Sequence, residues 1–282
     1  DGDILLAYGL IGLICWRLIR DAPSVKSLFN TGVLLYLVGV GVLLLLGVIS
    51  GSETSRAWTP DASALLYEKY WKVNGGMEAI SNRVDMMSNS LLALGAQYGW
   101  QLAGMMLLGA ALMRSGWLKG QYSLQHYRRT GVLLVILGMA INLPAIVAQW
   151  HLDWAYRWCA FLLQAPRELG APMQTIGYAA LMYGFWPQLS RLKWVIAVAC
   201  VGRMALTNYL LQTLICTTLF YQAGLFMKFD RLELLLFLPP APAIRRGSLF
   251  FLNCSMFKKS LLHKLVDGDR RTHNLRANQN FL

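Results

Sequence analysis

The chain has 282 residues, of which 56% are hydrophobic and only 14% are charged, and its mean hydropathy is +0.44. A soluble globular domain carries about 25% charged residues. The deficit of charge excludes a disordered protein, a collagen-like fibre and an ordinary water-soluble enzyme. The composition predicts a protein embedded in lipid.

The formal net charge is +12, from 26 basic and 14 acidic residues. The basic residues cluster between apolar runs and do not form one face, which is the pattern that the positive-inside rule describes for membrane proteins. The lipid bilayer is therefore the expected partner, and nucleic acid is not. The five cysteines include no CxxC pair, and their odd number argues against a disulfide framework.

Apolar runs of about 20 residues are long enough to cross a bilayer as helices. Six segments meet or approach this length: residues 4–19, 32–49, 91–113, 131–150, 154–186 and 194–220. Arg167 and Glu168 interrupt the fifth, which we interpret as a short re-entrant or interfacial piece (154–163) followed by a span (169–186). A break is expected in the sixth near Gly202. We predict an all-α, polytopic transmembrane helix bundle of about six spans.

Connecting segments rich in lysine and arginine alternate with segments that are poorer in them. The basic ones, at 17–30, 114–129 and 187–193, are expected to face the cytoplasm. Residues 50–90 then form an extracytoplasmic loop, in which Asp61 or Ser63 is expected to cap a short amphipathic helix.

The chain divides by composition into two parts. Residues 1–236 are predicted to form one multi-pass membrane domain. Residues 237–282 are rich in proline at their start and basic throughout, and we predict a disordered basic C-terminal tail.

Arg203 is the first candidate site residue, because an arginine at a helix centre costs about 2.5–3.5 kcal/mol on membrane-insertion scales. The stretch that contains it, GRMALTNYLLQ, places further polar residues at or beside helical i, i+4 spacing: Thr207, Asn208, Tyr209 and Gln212. Two interpretations are open. The group binds an anionic substrate at a broken helix, or Arg203 snorkels to the interface while the amides join helices.

Gln97 and Gln101 form a second polar pair at i, i+4 spacing in the third apolar run. They either line the substrate cavity or serve as hydrogen bonds between helices. The sequence contains no Walker A, GxGxxG, HExxH or GxSxG motif, so it predicts no cofactor and no metal site. No catalytic residue can be named, and whether the protein is an enzyme stays open.

Three segments carry a resemblance to a known family: DGDILLAYGLIGLICWRLIRDAPSVKSLFN, LLALGAQYGWQLAGMMLLGAALMRSGWL and VGRMALTNYLLQTLICTTLFY. They resemble the YeiB family, bacterial inner-membrane proteins that carry domain of unknown function 418. The resemblance runs from Asp1 to about Leu236. It implies a multi-pass protein of the inner membrane with an uncharacterised role in transport and no established substrate; the small anionic solute expected as its partner rests on Arg203.

The resemblance also implies an alternative function. The family is distantly similar to membrane acyltransferases that modify cell-envelope components, and in that case the partner is an acyl donor. Relatives begin with further helices and end with another apolar span, whereas this chain begins at Asp1 and ends in its basic tail. We therefore expect an altered form of the family's bundle, and an inactive fragment is the third interpretation.

Overall fold

The computed structural model describes residues 4–51 and 58–229 together with Glu233. All regular structure in these residues is helical, which confirms the all-α prediction. The predicted tail, residues 237–282, lies outside the described residues, so its disorder stays a prediction.

The chain forms two compact units, Asp1–Leu189 and Ser190–Leu282. The helices described in the first are α1 (Ile4–Arg20), α2 (Val25–Ile49), α3 (Ala62–Asn74), α4 (Gly76–Ala93), α5 (Gly99–Arg114), α6 (Leu124–His151), α7 (Gln164–Gly184) and α8 (Trp186–Leu189). A π-helical turn at Leu94–Tyr98 joins α4 to α5, and a second one, Trp158–Leu162, precedes α7.

Within the part of the chain that the structure describes, three helical stretches are long and apolar enough to cross a membrane: Val25–Ile49, Gly76–Arg114 and Leu124–His151. They contain most of the second, third and fourth predicted spans. The helix of the first predicted span has 17 residues, and that of the fifth carries both Arg167 and Glu168. The count of six spans therefore stays a prediction.

Where the structure describes it, the segment at 50–90 is largely helical and contains α3 and most of α4, while its placement outside the cytoplasm stays a prediction. After α3, helix α4 runs through the π turn into α5 to give one 39-residue helical stretch. At 1.5 Å per residue this stretch is about 58 Å long, well beyond the 30 Å or so of a hydrocarbon core. The sequence did not predict this continuous stretch, because α4 is too polar to be recognised as part of a membrane span.

The short helix predicted within that segment is confirmed as α3. The Asp61 carboxylate is its N-cap and accepts a hydrogen bond from the backbone N–H of Ala64 at 2.8 Å, and the Ser63 hydroxyl donates to it as well. These two hydrogen bonds hold the pKa of the Asp61 carboxyl below its ordinary value.

Helices α6 and α7 pack as an antiparallel pair through small residues. Gly131 faces Leu181 on the partner helix, while Gly138 faces Gln174 and the carbonyl of Gly170. A methyl group at any of these glycines would come within 3.0 Å of the neighbouring helix. Small residues allow such a close approach of backbones, which is how helices associate where lipid supplies no hydrophobic drive.

Helices α2 and α5 also pack as an antiparallel pair through glycine residues. Gly32 lies against Gly104, and a Cβ built on Gly104 would sit 2.6 Å from the Gly32 carbonyl oxygen and 2.7 Å from the backbone N of Tyr36. Farther along, Gly39 lies against Gln101. The backbones of α2 and α5 are therefore in close contact along this face.

Arg114 fastens the end of α5 to the end of α1. Its guanidinium donates to the carbonyl oxygens of Ile19, Arg20 and Ala22 at 2.5, 3.2 and 3.1 Å. Carbonyls at a helix C-terminus have no partner within the helix, so a cation there satisfies them. The basic ends of α1 and α5 consequently lie at one level.

The second unit contains α9 (Lys193–Arg203) and α10 (Ala205–Thr217), followed by a π-helical turn at Thr218–Gln222. Met204 separates the two helices with φ −100° and ψ 22°. The break that the sequence predicts near Gly202 is thus found two residues later.

Candidate functional site

A cavity of about 370 Å³ lies among α1, α2, the first π turn, α5 and α7 in the first unit. Its apolar lining comes from Leu102, Met105, Met106, Ala171 and Pro172. Its polar lining defines what we name the tyrosine pocket: Tyr8, Tyr36, Tyr98, Gln101, Glu168 and Thr175. Polar groups that converge in a cleft between helices are the usual form of a small-molecule site.

Tyr36 and Glu168 join α2 to α7 across the pocket. The Tyr36 hydroxyl donates to the backbone carbonyl oxygen of Glu168 at 2.6 Å and lies 3.3 Å from its Oε2. The other carboxylate oxygen accepts a hydrogen bond from Nε2 of Gln164 at 2.6 Å. Neutral donors therefore orient the carboxylate, and among the described residues it makes no ion pair.

Gln101 is 5% exposed and reaches the pocket from α5. Its Oε1 accepts a hydrogen bond from Nε2 of Gln97 at 2.9 Å, whereas its own Nε2 has no partner among the described residues. Gly39 makes room for it, because a Cβ there would lie 2.6 Å from Cγ of Gln101. A buried amide donor without a partner costs about 1–3 kcal/mol, so this one needs a reason.

Tyr98 is positioned by the π turn that it ends. The backbone N–H of Gly99 donates to the carbonyl of Leu94, five residues earlier, and a Cβ at Gly99 would collide with that oxygen. The glycine also lets Ile11 of α1 approach to 3.1 Å of the Cβ position. Single π turns within α-helices are frequent at functional sites.

The two arginines of this region, Arg157 and Arg167, donate hydrogen bonds to neutral oxygen atoms. Arg167 donates to Oε1 of Gln164 at 3.0 Å, so the amide of Gln164 bridges the guanidinium to the carboxylate of Glu168. Arg157 instead donates to the carbonyls of Gly47 and Val48 at the end of α2. Arg167 and Glu168 both belong to one continuous helix, α7, and so do not interrupt it, while the re-entrant or interfacial placement of 154–163 stays a prediction.

Of the predicted site residues, Gln97 and Gln101 hydrogen-bond to each other in the first unit, and Gln101 lines the tyrosine pocket. The others lie in the second unit. Arg203 is the last residue of α9, and the remaining four lie on α10: Thr207, Asn208, Tyr209 and Gln212. The α10 residues fall on both sides of the helix, since Asn208 and Tyr209 are half-buried and the other two are exposed.

The three tyrosines of the pocket were not predicted as site residues from the sequence. Tyr8, Tyr36 and Tyr98 stand 28 and 62 residues apart, and no periodic pattern connects them. Glu168 carried the strongest available signal, because an acid within an apolar run marks functional sites in membrane proteins. In the sequence, however, it was interpreted only as an interruption of the fifth apolar run.

The tyrosine pocket offers hydrogen-bonding groups and one carboxylate to a ligand. Its described lining holds a carboxylate, phenols and an amide but no histidine or cysteine that could act with them as base or nucleophile. Nor do the described residues include a group of three or more histidine, cysteine or acidic side chains that could hold a metal ion.

Residues 112–244 match the family model described as "Protein of unknown function (DUF418)". The chain is 82% identical over 240 residues to "Uncharacterized protein YeiB" of Escherichia coli (strain K12), covering 85% of this chain and 62% of that protein. It is 28% identical over 238 residues to "Uncharacterized protein YxaH" of Bacillus subtilis (strain 168), covering 80% and 55%. No solved structure matches the chain.

The chain thus spans less than two thirds of the length of the curated relatives that it matches. The identity to the first relative nevertheless extends over most of the chain, and the family model covers α6 to α10. Over most of its length the chain is thus similar to the YeiB protein family, and over α6 to α10 it matches the domain of unknown function DUF418.

Proposed function

We propose that the chain forms a multi-pass protein of the bacterial inner membrane that binds a small solute in the tyrosine pocket and carries it across the bilayer. The observation that carries the proposal is the pocket itself. A carboxylate, three phenols and a buried amide converge between helices, and two of the helical stretches involved are apolar enough to span a membrane. Polar residues at such positions mark solute pathways.

Exposed apolar side chains support the membrane placement. Leu13, Ile49 and Trp150 are each 71% exposed, and they lie on α1, α2 and α6. Leucine and isoleucine exposed along whole helices are unfavourable in water but are the ordinary outer surface of a protein in lipid.

The pocket lies near the middle of the bilayer in this placement. Arg114 brings the basic ends of α1 and α5 to one level, which the positive-inside rule assigns to the cytoplasmic boundary. Tyr8 is twelve residues from Arg20, and Gln101 is thirteen from Arg114. At 1.5 Å per residue both lie about 18–20 Å from that boundary, within a hydrocarbon core of about 30 Å. Alternating-access transporters bind substrate at this depth.

Arg203 and its neighbours extend the proposal to the second unit. The helix break at Met204 lies directly beside Arg203, and discontinuous helices of this kind form binding sites in transporters. Within the second unit we assign solute contact to Arg203, Thr207, Asn208, Tyr209 and Gln212. Within the first unit we assign to Gln97 the support of Gln101.

The test is solute flux into proteoliposomes that contain the full chain, measured with radiolabelled choline, acetate and glucose. We expect saturable uptake of one of these probes above that of protein-free liposomes. Glu168→Gln is expected to reduce this uptake about tenfold or more, because the pocket loses its carboxylate. Glu78→Gln is the matched control, since Glu78 is exposed on α4 and does not line the pocket. Flux that is absent for all three probes, or equal in both variants, contradicts transport through this pocket.

A further inference from the structure

We propose that the solute of the tyrosine pocket is a small organic cation, an ammonium group that also carries a hydrogen-bond acceptor. This inference rests on the proposed function in one respect, namely that the tyrosine pocket is the solute site. It differs from the anionic solute that Arg203 led us to expect, and the reason lies in the charge of the lining.

Charge is the first argument. Glu168 is the acidic residue of the described lining, and that lining includes no lysine, arginine or histidine. The hydrogen-bond donors to its carboxylate are a phenol and an amide, which leave its negative charge uncompensated. The nearest guanidinium, that of Arg167, is bonded to the far side of the Gln164 amide and does not line the pocket. An anion would be repelled here, whereas a cation would gain a desolvated partner.

Aromatic walls are the second argument. Three tyrosines line the same cavity as the carboxylate: Tyr8, Tyr36 and Tyr98. The negative face of an aromatic ring attracts a cation, and aromatic side chains grouped with a carboxylate are the usual receptor for alkylammonium groups. Phenols grouped without a charge would serve a neutral solute equally well, so Glu168 decides between the two.

The unpartnered amide of Gln101 is the third argument. Gln101 lines the pocket and is nearly buried, and its Nε2 has no hydrogen-bond partner among the described residues. The ligand group that satisfies it is an acceptor oxygen, such as a hydroxyl, ether or carbonyl. A volume of about 370 Å³ holds on the order of ten water-sized groups, which suits an amino alcohol or an acylated amine rather than a lipid or a nucleotide.

The test is equilibrium binding of radiolabelled choline to the full chain in lipid nanodiscs, with four competitors. Choline carries the ammonium group and the acceptor oxygen. Its uncharged tert-butyl isostere has the same shape without the charge, tetramethylammonium lacks the acceptor, and acetate and glucose represent the anionic and neutral classes. We expect choline to bind at least about tenfold more tightly than the isostere and about fivefold more tightly than tetramethylammonium. Acetate and glucose are expected not to compete.

The variants address the same three arguments. Glu168→Gln is expected to weaken choline binding about thirtyfold or more, and Tyr98→Leu about three- to tenfold. Gln101→Leu is expected to remove the preference for choline over tetramethylammonium. Arg167→Gln is expected to strengthen binding a few fold, which keeps the charge argument testable if a pocket variant fails to fold. Glu78→Gln is the control and is expected to bind as the unchanged chain does.

The inference is overturned if choline does not bind, if the isostere or acetate binds as tightly as choline, or if Glu168→Gln leaves the affinity unchanged. Flux and binding separate the two proposals. Choline that binds with the expected selectivity but does not cross the bilayer removes transport and leaves the cation site. Glucose or acetate that crosses in a Glu168-dependent manner, without choline binding, removes the cation site and leaves transport.

Discussion

Replacement of Gly104 by leucine is expected to lower the free energy of unfolding by about 3 kcal/mol or more and to close the tyrosine pocket. The backbone of α2 leaves no room for a side chain at position 104. A Cβ there would meet the Gly32 carbonyl and the Tyr36 N–H, which are backbone groups and cannot move aside as the end of a side chain can. The helices must separate, and Tyr36 then loses its reach to Glu168 on α7.

Gly109→Leu is the matched control on the same helix, because nothing lies within 4 Å of a Cβ at that position. It is expected to change stability by less than about 0.5 kcal/mol. Reversible unfolding in mixed micelles measures both variants, and choline binding reports the pocket. Equal stability of the two variants would contradict the close packing of α2 on α5.

The second large effect is expected at Gly138, where leucine should cost about 3 kcal/mol or more of unfolding free energy. A Cβ there lies 2.8 Å from the carbonyl oxygen of Gly170 and 3.1 Å from the backbone N of Gln174. The substitution therefore forces α6 away from α7, which also carries Glu168.

Ala140→Leu serves as its control, because Ala140 is exposed two residues away on the same helix. The same unfolding measurement is expected to show little change for this variant, since the larger side chain extends away from the protein. A loss of stability in Ala140→Leu as large as that in Gly138→Leu would show that leucine is disfavoured in α6 generally, and not that the glycine contact matters.

Local features of the fold were predictable from the sequence because they depend on neighbours in the chain. Apolar runs predicted the helical class, Asp61 predicted the start of α3, and Gly202 predicted a break that occurs at Met204. The 39-residue stretch from Gly76 was missed because its first half is polar.

The tyrosine pocket was not predictable, since it depends on contacts between distant parts of the chain. Tyr36 and Glu168 are 132 residues apart, and their hydrogen bond follows from glycine packing that no periodic pattern reveals. Gln101 was found from i, i+4 spacing with Gln97, but the spacing could not show which of its amide atoms would be left without a partner.

The central claim is that the tyrosine pocket is accessible to water and lies between helices whose outer surfaces contact lipid. Single cysteines at Thr175 in the pocket and at Leu13 on the outside of α1 test it directly, because both side chains are exposed in the protein itself. The native cysteines are first replaced by alanine: Cys15, Cys159, Cys200, Cys216 and Cys254. Modification by a membrane-impermeant, positively charged methanethiosulfonate is then measured in membranes. The account predicts that Thr175→Cys reacts, that choline protects it and that Leu13→Cys does not react; equal reaction at both positions would contradict it.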